Sequence, residues 1–262
     1  MNQYDPALFK GTAWYYARYR TPYPQAIFDL LASRFELDGT GKLLDLGAGT
    51  GEVTVPLSKY FDGVVAVEPD GEMISEGKQR AEKAGITNIT WQQMRAEDFT
   101  DAPESFRLVT IGAALHWMDK DLVLQKAYQL VAFRGGISVL FSKSIWRGEE
   151  EWHKAAIAVI KKYLGEERRA GKSTYSKDER GFEDILTQAG FSRLETHNIP
   201  VAVEWTVERL IGNLYSMSFA SKELLGNKAE AFEKELRDTL LKLNPDGTFT
   251  EKQPVGAILA WK

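Results

Sequence analysis

From Leu44 to Glu52 the chain reads LDLGAGTGE, with glycines at 47, 49 and 51 directly behind an apolar run. Glycine lets a backbone approach a ligand closely, so the loop is a binding loop in search of its ligand. A phosphate loop needs Gly, four residues and then Gly-Lys-Ser/Thr. Here Glu52 follows the glycines, and its carboxylate would repel a triphosphate. A dinucleotide loop needs G-x-G-x-x-G. Gly47 and Gly49 fit, but the third glycine falls one residue early at 51, and Glu52 stands where Gly or Ala would pack a helix closely. A turn without a ligand needs one glycine, and three lose backbone entropy to no purpose. What remains is an acid, Asp45, then G-x-G-x-G, then a second acid, Glu68, at the end of the next apolar run.

Of the three histidines, His116 is the candidate general base, because imidazole titrates near neutral pH. A role in orienting a substrate, or plain packing beside Trp117, stays open for it. His153 and His197 read as structural. No H-x-x-x-H or clustered carboxylate set suggests a metal.

These residues need elements to hold them. Helices are expected over 24–35, 52–61, 71–84 and 119–133, and strands over 42–46, 63–67, 88–92, 106–113 and 136–141. The strands are apolar without polar alternation, which means parallel strands covered on both faces. The expected fold is α/β: a doubly wound, mostly parallel seven-stranded sheet with helices on both faces and a helical lid. Beyond 145 the rhythm changes. A helix over 149–164 precedes a polar stretch over 165–181, a short helix over 182–189 and one strand over 193–205. Helices over 206–219 and 228–243 follow, and a strand over 256–261 closes the chain. The later helices look too few for a large core of their own, and are expected to cover the carboxyl ends of the strands, where open α/β sheets bind ligands.

Bulk properties narrow the function. The chain has 262 residues, 44% apolar, with a net charge of −4. That balance provides no footprint for nucleic acid or an anionic membrane. No run of about 18 apolar residues offers a membrane span. Cysteine is absent, which removes disulfides and thiolate chemistry. With no signal-like N-terminus, the expectation is a cytoplasmic protein, monomer or homodimer, without nucleic-acid or membrane partners.

The Asp45–Gly51 loop with Glu68 resembles motif I and the following acid of class I S-adenosylmethionine (SAM)-dependent methyltransferases. That ligand has no phosphate and carries a cationic sulfur, so acidic surroundings suit it. The resemblance implies SAM as cofactor, with Asp45, Gly47, Gly49, Gly51 and Pro69 around it. Glu68 would accept from both ribose hydroxyls. Arg95–Phe99, RAEDF, would hold the adenine through the Ala96 N–H and the side chain of Glu97 or Asp98. The stretch Ala113-Ala114-Leu115-His116-Trp117-Met118-Asp119 resembles an element of the trans-aconitate methyltransferase-like group, which methylates small molecules. There Ala113 would lie beside the SAM amino group. The N-terminal YYARYRTPYP is similar to a segment that closes over the cofactor in the same group. It would set Arg20 on the SAM carboxylate and Tyr19 near the sulfonium. Tyr15, Trp117, Trp146 and Tyr215 are the candidate substrate residues. The aromatic set Trp14, Tyr15, Trp146, Trp152, Trp205, Tyr215 and Phe219 would form a wall for an apolar or planar acceptor, or pack the lid on the core.

The implied organisation is one domain with a cap. Residues 1–23 cover the cofactor, 24–145 form the SAM-binding core and 146–181 a lid insertion. Residues 182–204 return to the core, 205–248 form a helical substrate cap and 249–262 the closing strand. Methyl transfer needs an aligned nucleophile about 3 Å from the methyl group and exclusion of water. A carboxylate acceptor needs no base, whereas a phenol or alcohol does. O-methylation of a small carboxylate or hydroxyl is the leading expectation. N- or C-methylation and a non-catalytic SAM-binding protein are the alternatives.

Overall fold

Leu43 and Leu44 are neighbours on one strand, and neither has exposed surface. Successive side chains point to opposite faces of a strand, so this strand is covered on both sides. Leu43 packs with Ile27, Leu31, Val64 and Leu108, and Leu44 with Val67, Val109, Leu124 and Ile137. The computed structural model describes residues 8–171, 173–175 and 179–262. Residues 1–7 of the expected cofactor-covering segment, and 172 and 176–178 of the polar stretch, lie outside the described residues.

The sheet is built from β1 (Lys42–Leu46), β2 (Gly63–Glu68), β3 (Ile89–Gln93), β4 (Phe106–Gly112) and β5 (Val131–Ser142), all parallel. A two-residue hairpin, β6 (Arg169–Ala170) and β7 (Ser173–Thr174), precedes β8 (Arg193–Ile199), β9 (Ala202–Thr206), β10 (Thr248–Lys252) and β11 (Val255–Trp261). The seven-stranded order is β3-β2-β1-β4-β5-β11-β8, with β11 antiparallel to both its neighbours. Strand order reverses between β1 and β4, which is where open α/β sheets leave a crevice beyond their carboxyl ends.

The helices in chain order are α1 (Ala13–Tyr19), α2 (Gln25–Arg34), α3 (Thr54–Leu57), α4 (Gly71–Lys83), α5 (Lys120–Leu130), α6 (Glu151–Leu164), α7 (Phe182–Gln188), α8 (Val207–Tyr215), α9 (Lys222–Leu225) and α10 (Ala229–Leu243). Helices α4 and α5 begin on Asp70 and Asp119, whose side chains accept from the first-turn N–H groups, the usual N-cap arrangement. No helix among the described residues is long and apolar enough to cross a membrane.

Three expectations change. The helix over 52–61 shrinks to α3 and a short 3-10 turn, Ser58–Tyr60, because Pro56 has no N–H to give to a preceding carbonyl. The strand over 193–205 is two strands. It breaks around Pro200, so β8 stays at the edge of the main sheet while β9 leaves it to pair with β10. The later helices also have a substantial core of their own. Trp152 and Ile160 of α6 pack with Leu210 and Leu214 of α8 and with Phe232, Leu236 and Leu240 of α10, against the β9–β10 hairpin. A short α1 joins the two parts: Gly212 of α8 leaves the space that the Tyr19 ring fills, since a Cβ there would lie 2.4 Å from it.

Candidate functional site

The turn after β1 folds back on β2. The N–H groups of Gly47 and Ala48 both donate to the Val67 carbonyl, at 2.8 and 3.0 Å. Gly47 sits at φ +70° and Gly49 at φ +56°, where side-chain-bearing residues are disfavoured. A Cβ on Gly47 would lie 2.5 Å from the Ala114 Cβ, so the loop after β4 rests directly on this glycine. A Cβ on Gly49 would meet nothing nearer than a Glu52 oxygen at 4.0 Å, because it opens onto a cavity. Gly51 does not line that cavity. A Cβ there would press on Val55 at 3.1 Å and Trp91 at 3.3 Å, so this glycine packs the loop against α3 and β3.

Glu68 ends β2 and lines the cavity. Its Oε2 accepts from the Gly49 N–H at 2.9 Å and its Oε1 from the Asp70 N–H at 3.1 Å. Burial pushes its pKa up to about 7 against these donors. Each oxygen keeps a lone pair beyond its backbone donor, as two vicinal hydroxyls require. Glu52, the residue that spoiled the phosphate patterns, accepts from the Arg80 guanidinium at 2.7 Å and from the Thr50 hydroxyl.

The first cavity, roughly 780 Å³, is lined by Gly47, Gly49, Glu68, Pro69, Ala96, Glu97 and Ala113. All seven were expected around the cofactor. Glu97 is held by the Asp119 N–H at 2.9 Å and by Arg95 at 3.2 Å. Burial would raise its pKa, but these donors outweigh it and the net shift is downward. The charged side chains on this lining are Glu68, Asp70, Glu97 and Arg95. An acidic set that includes a carboxylate with an open lone pair on each oxygen fits SAM and would oppose a pyrophosphate. Ala113, a non-glycine at φ +51°, marks local backbone strain of the kind found at ligand sites.

A second cavity, roughly 970 Å³, lies under the cap. It shares Phe9, Tyr16, Ala113 and Trp117 with the first, so those residues form the junction. Its wall includes Trp152, Trp205 and Phe219, and its polar lining includes Arg20, His116, Arg168, Asn213 and Glu251. Arg20 does not line the first cavity. It stands on the second-cavity side of the junction, stacked on Tyr16 at 4.6 Å and donating to the Ser216 carbonyl at 3.3 Å. His116 is also on the second side. Burial, and then the cations Arg168, Lys120 and Arg20, push its pKa down to about 3. It is a neutral imidazole across the physiological range, and a weak base.

Several expected residues stand elsewhere. Asp45 is fully enclosed, and its oxygens are taken by the Thr54 hydroxyl and by the Thr110 hydroxyl at 2.8 Å. It ties β1 to α3 and β4 and does not line the cavity. Tyr19 packs against α8 rather than near the reacting centre. Tyr15 stacks on Tyr19 and meets Tyr215 edge-on at 5.3 Å. Tyr215 is buried and donates to Glu233 at 3.0 Å, and Trp146 packs on Phe219 at 5.4 Å. Tyr15, Tyr19 and Tyr215 hold α1 and the cap together, Trp146 packs within the cap, and all four line neither cavity. The residue that sequence reasoning missed is Tyr16. Its spacing of four from Arg20 on one helix was the available signal.

Residues 43–135 match the model of a methyltransferase-domain family. A methyltransferase by name from Dictyostelium discoideum is 26% identical over 231 residues, covering 87% of this chain and 82% of that relative. The ubiquinone/menaquinone biosynthesis C-methyltransferase of Zymomonas mobilis is 25% identical over 168 residues, 60% of this chain and 69% of that one. Among solved structures, the YcgJ protein of Bacillus subtilis superposes with a TM-score of 0.58 at 16% identity, over 91% of this chain and 99% of that one. Phosphoethanolamine N-methyltransferase 2 of Haemonchus contortus, solved with S-adenosyl-L-methionine, superposes with a TM-score of 0.55 at 17% identity, over 100% of this chain and 58% of that one. These likenesses reach the class and stop short of the trans-aconitate-like group. The matched domain begins inside β1 and ends inside β5, and so contains the glycine loop, Glu68 and the Glu97 wall. The chain is therefore a SAM-dependent methyltransferase, with its methyltransferase domain over residues 43–135.

Proposed function

We propose that the enzyme methylates an oxygen of a small carboxylate held under the cap. SAM supplies a methyl group on a cationic sulfur, whose departure needs no acid. The reading rests on Arg168. Its guanidinium lines the second cavity, stacks on Tyr175 at 4.2 Å, and keeps a buried Nε without a partner. Among the described residues it forms no ion pair. Burial, and then repulsion from Arg147 and Arg20, lowers its pKa despite the opposing effect of Tyr175. A half-buried cation without a counter-charge is costly where its Nε is enclosed, and an incoming carboxylate would satisfy it through the planar fork of donors. Arg20, at the junction, would face the carboxylate of the cofactor's methionine end. Glu68 would hold the ribose, and Ala96 and Glu97 the adenine edge. Trp117, Tyr16 and Phe9 would keep water from the junction.

A carboxylate is also the acceptor that asks least of His116, which is too weakly basic to take a proton from an alcohol. In this reading His116 orients the acceptor. A screen with tritiated SAM against small acids, phenols and amines tests the proposal. The expected product is an alkali-labile methyl ester, and Arg168→Met should raise KM for the acid without changing affinity for S-adenosylhomocysteine. An alkali-stable product would sink it. A second reading, C-methylation of an acidic carbon acceptor, draws on the name of the Zymomonas relative.

A further inference from the structure

We propose that Glu251 determines acceptor specificity by accepting a hydrogen bond from a hydroxyl of the acceptor, so that the acceptor carries a donor group as well as its carboxylate. This rests on the carboxylate reading above.

Glu251 lies on β10, two residues from Phe249, with both side chains turned toward the inner side of the hairpin. Its partner strand β9 supplies Trp205, whose indole N–H donates to Oε2 at 3.1 Å. The start of α6 supplies His153, only 2% exposed, with Nε2 3.2 Å from Oε1. The histidine's tautomer is settled by its other nitrogen. Nδ1 accepts from the Glu150 N–H at 3.2 Å, so the ring proton sits on Nε2, beside the carboxylate but out of line for a hydrogen bond. Oε2 of Glu251 thus has one donor from the cap and Oε1 only the imidazole edge alongside it, and a carboxylate accommodates about four donors. The remaining lone pairs belong to a side chain that lines the second cavity.

A purely structural tie between hairpin and helix would not need an ionised group. Burial disfavours the charge, yet His153 and Trp205 outweigh it and keep the carboxyl below its ordinary value. Arg168 lines the same cavity, and the two do not pair. A cavity that holds an anion site and a separate acceptor site is matched by a molecule with an anionic end and a donor end. Glu251 is too weakly basic, with Trp205 and His153 beside it lowering its pKa, to serve as the proton acceptor. Its part is selection.

The test uses the full chain saturated with S-adenosylhomocysteine, and as probes benzoate, the three hydroxybenzoates and the corresponding toluates. Binding is followed by calorimetry and by the fluorescence of Trp117, Trp152 and Trp205. At least one hydroxybenzoate should bind roughly tenfold more tightly than benzoate, a typical margin for one hydrogen bond to a charged group. In Glu251→Gln that margin should fall below about threefold, with benzoate and S-adenosylhomocysteine affinities unchanged. Glu251→Asp keeps the charge but shortens the reach, and should lose the margin too, so the proposal stays testable if the Gln variant does not fold. A hydroxyl preference that persists in both variants, or benzoate binding with no such preference in the parent protein, overturns the role of Glu251 alone. Failure of every carboxylate to bind the parent protein overturns the carboxylate reading and this inference with it.

Discussion

The Gly49 N–H lies 2.9 Å from Oε2 of Glu68 and donates to it, so the loop that opens the first cavity is pinned to the carboxylate proposed to hold the ribose. The two are 19 residues apart, Gly49 in the loop after β1 and Glu68 at the end of the adjacent parallel strand β2. Shortening the glutamate or moving the loop would disturb both halves of the site together. Glu68→Ala should weaken S-adenosylhomocysteine binding by roughly a hundredfold, the loss expected for two hydrogen bonds to a charged group. Calorimetry reads the change directly, and equal affinity in the variant would remove Glu68 from the site.

Cofactor binding should depend on pH through the same residue. Glu68 has a pKa of about 7 in the unliganded protein, and two hydroxyl donors favour the ionised form. Affinity for S-adenosylhomocysteine should therefore be flat above about pH 7 and fall by up to tenfold per unit below it. In Glu68→Gln this slope should vanish.

The unliganded protein should show the opposite trend in stability. Asp45, at about 6, and Glu68, at about 7, are both raised chiefly by burial. The folded state then holds protons that the unfolded state releases, so their contribution is present below the unfolded carboxylate pKa and is lost as pH rises through about 7. Urea midpoints measured from about pH 5 to pH 8 should decline, less steeply in Glu68→Gln. A midpoint rising across this interval in the parent relative to the variant would contradict it.

The first two glycines of the loop should separate fold from function. Gly47→Ala meets the Ala114 Cβ at 2.5 Å and should cost about 1–3 kcal/mol of stability. Gly49→Ala meets only open space, so its thermal midpoint should move less while cofactor affinity falls further. Calorimetry and thermal unfolding on the same pair of variants would check this, and the reverse ordering would mean that the cavity above Gly49 is not the cofactor site.

His116 should leave no inflection in the pH profile of kcat/KM. With its pKa near 3, neither the parent protein nor His116→Gln should titrate between about pH 5 and pH 8 on its account. An inflection near neutral pH that disappears in the variant would restore the general-base role.

The lining of the first cavity was legible because its information is local. The spacing of Gly47, Gly49 and Gly51, and the distance to Glu68, report a strand, a turn and the next strand within one unit. The acceptor half was not. Choosing Tyr19 instead of Tyr16 misjudged which turn of α1 faces the junction, and that is set by α8, almost two hundred residues away. Asp45 carried the right residue type in the right motif, yet hydroxyls from α3 and β4 claim both its oxygens.

What the sequence alone determined is the parallel sheet, the glycine loop and the exclusion of phosphate ligands, because apolar runs and residue spacing act within a few turns of chain. Only the tertiary structure decided that Pro200 sends β9 into the cap, that β10 returns to pair with it, and that Glu251 thereby joins His153 and Trp205 beside a cavity also lined by Arg168. Antiparallel pairing between segments separated by three helices leaves no periodic trace in either, so the partners of a half-buried charge became visible only once the chain was folded.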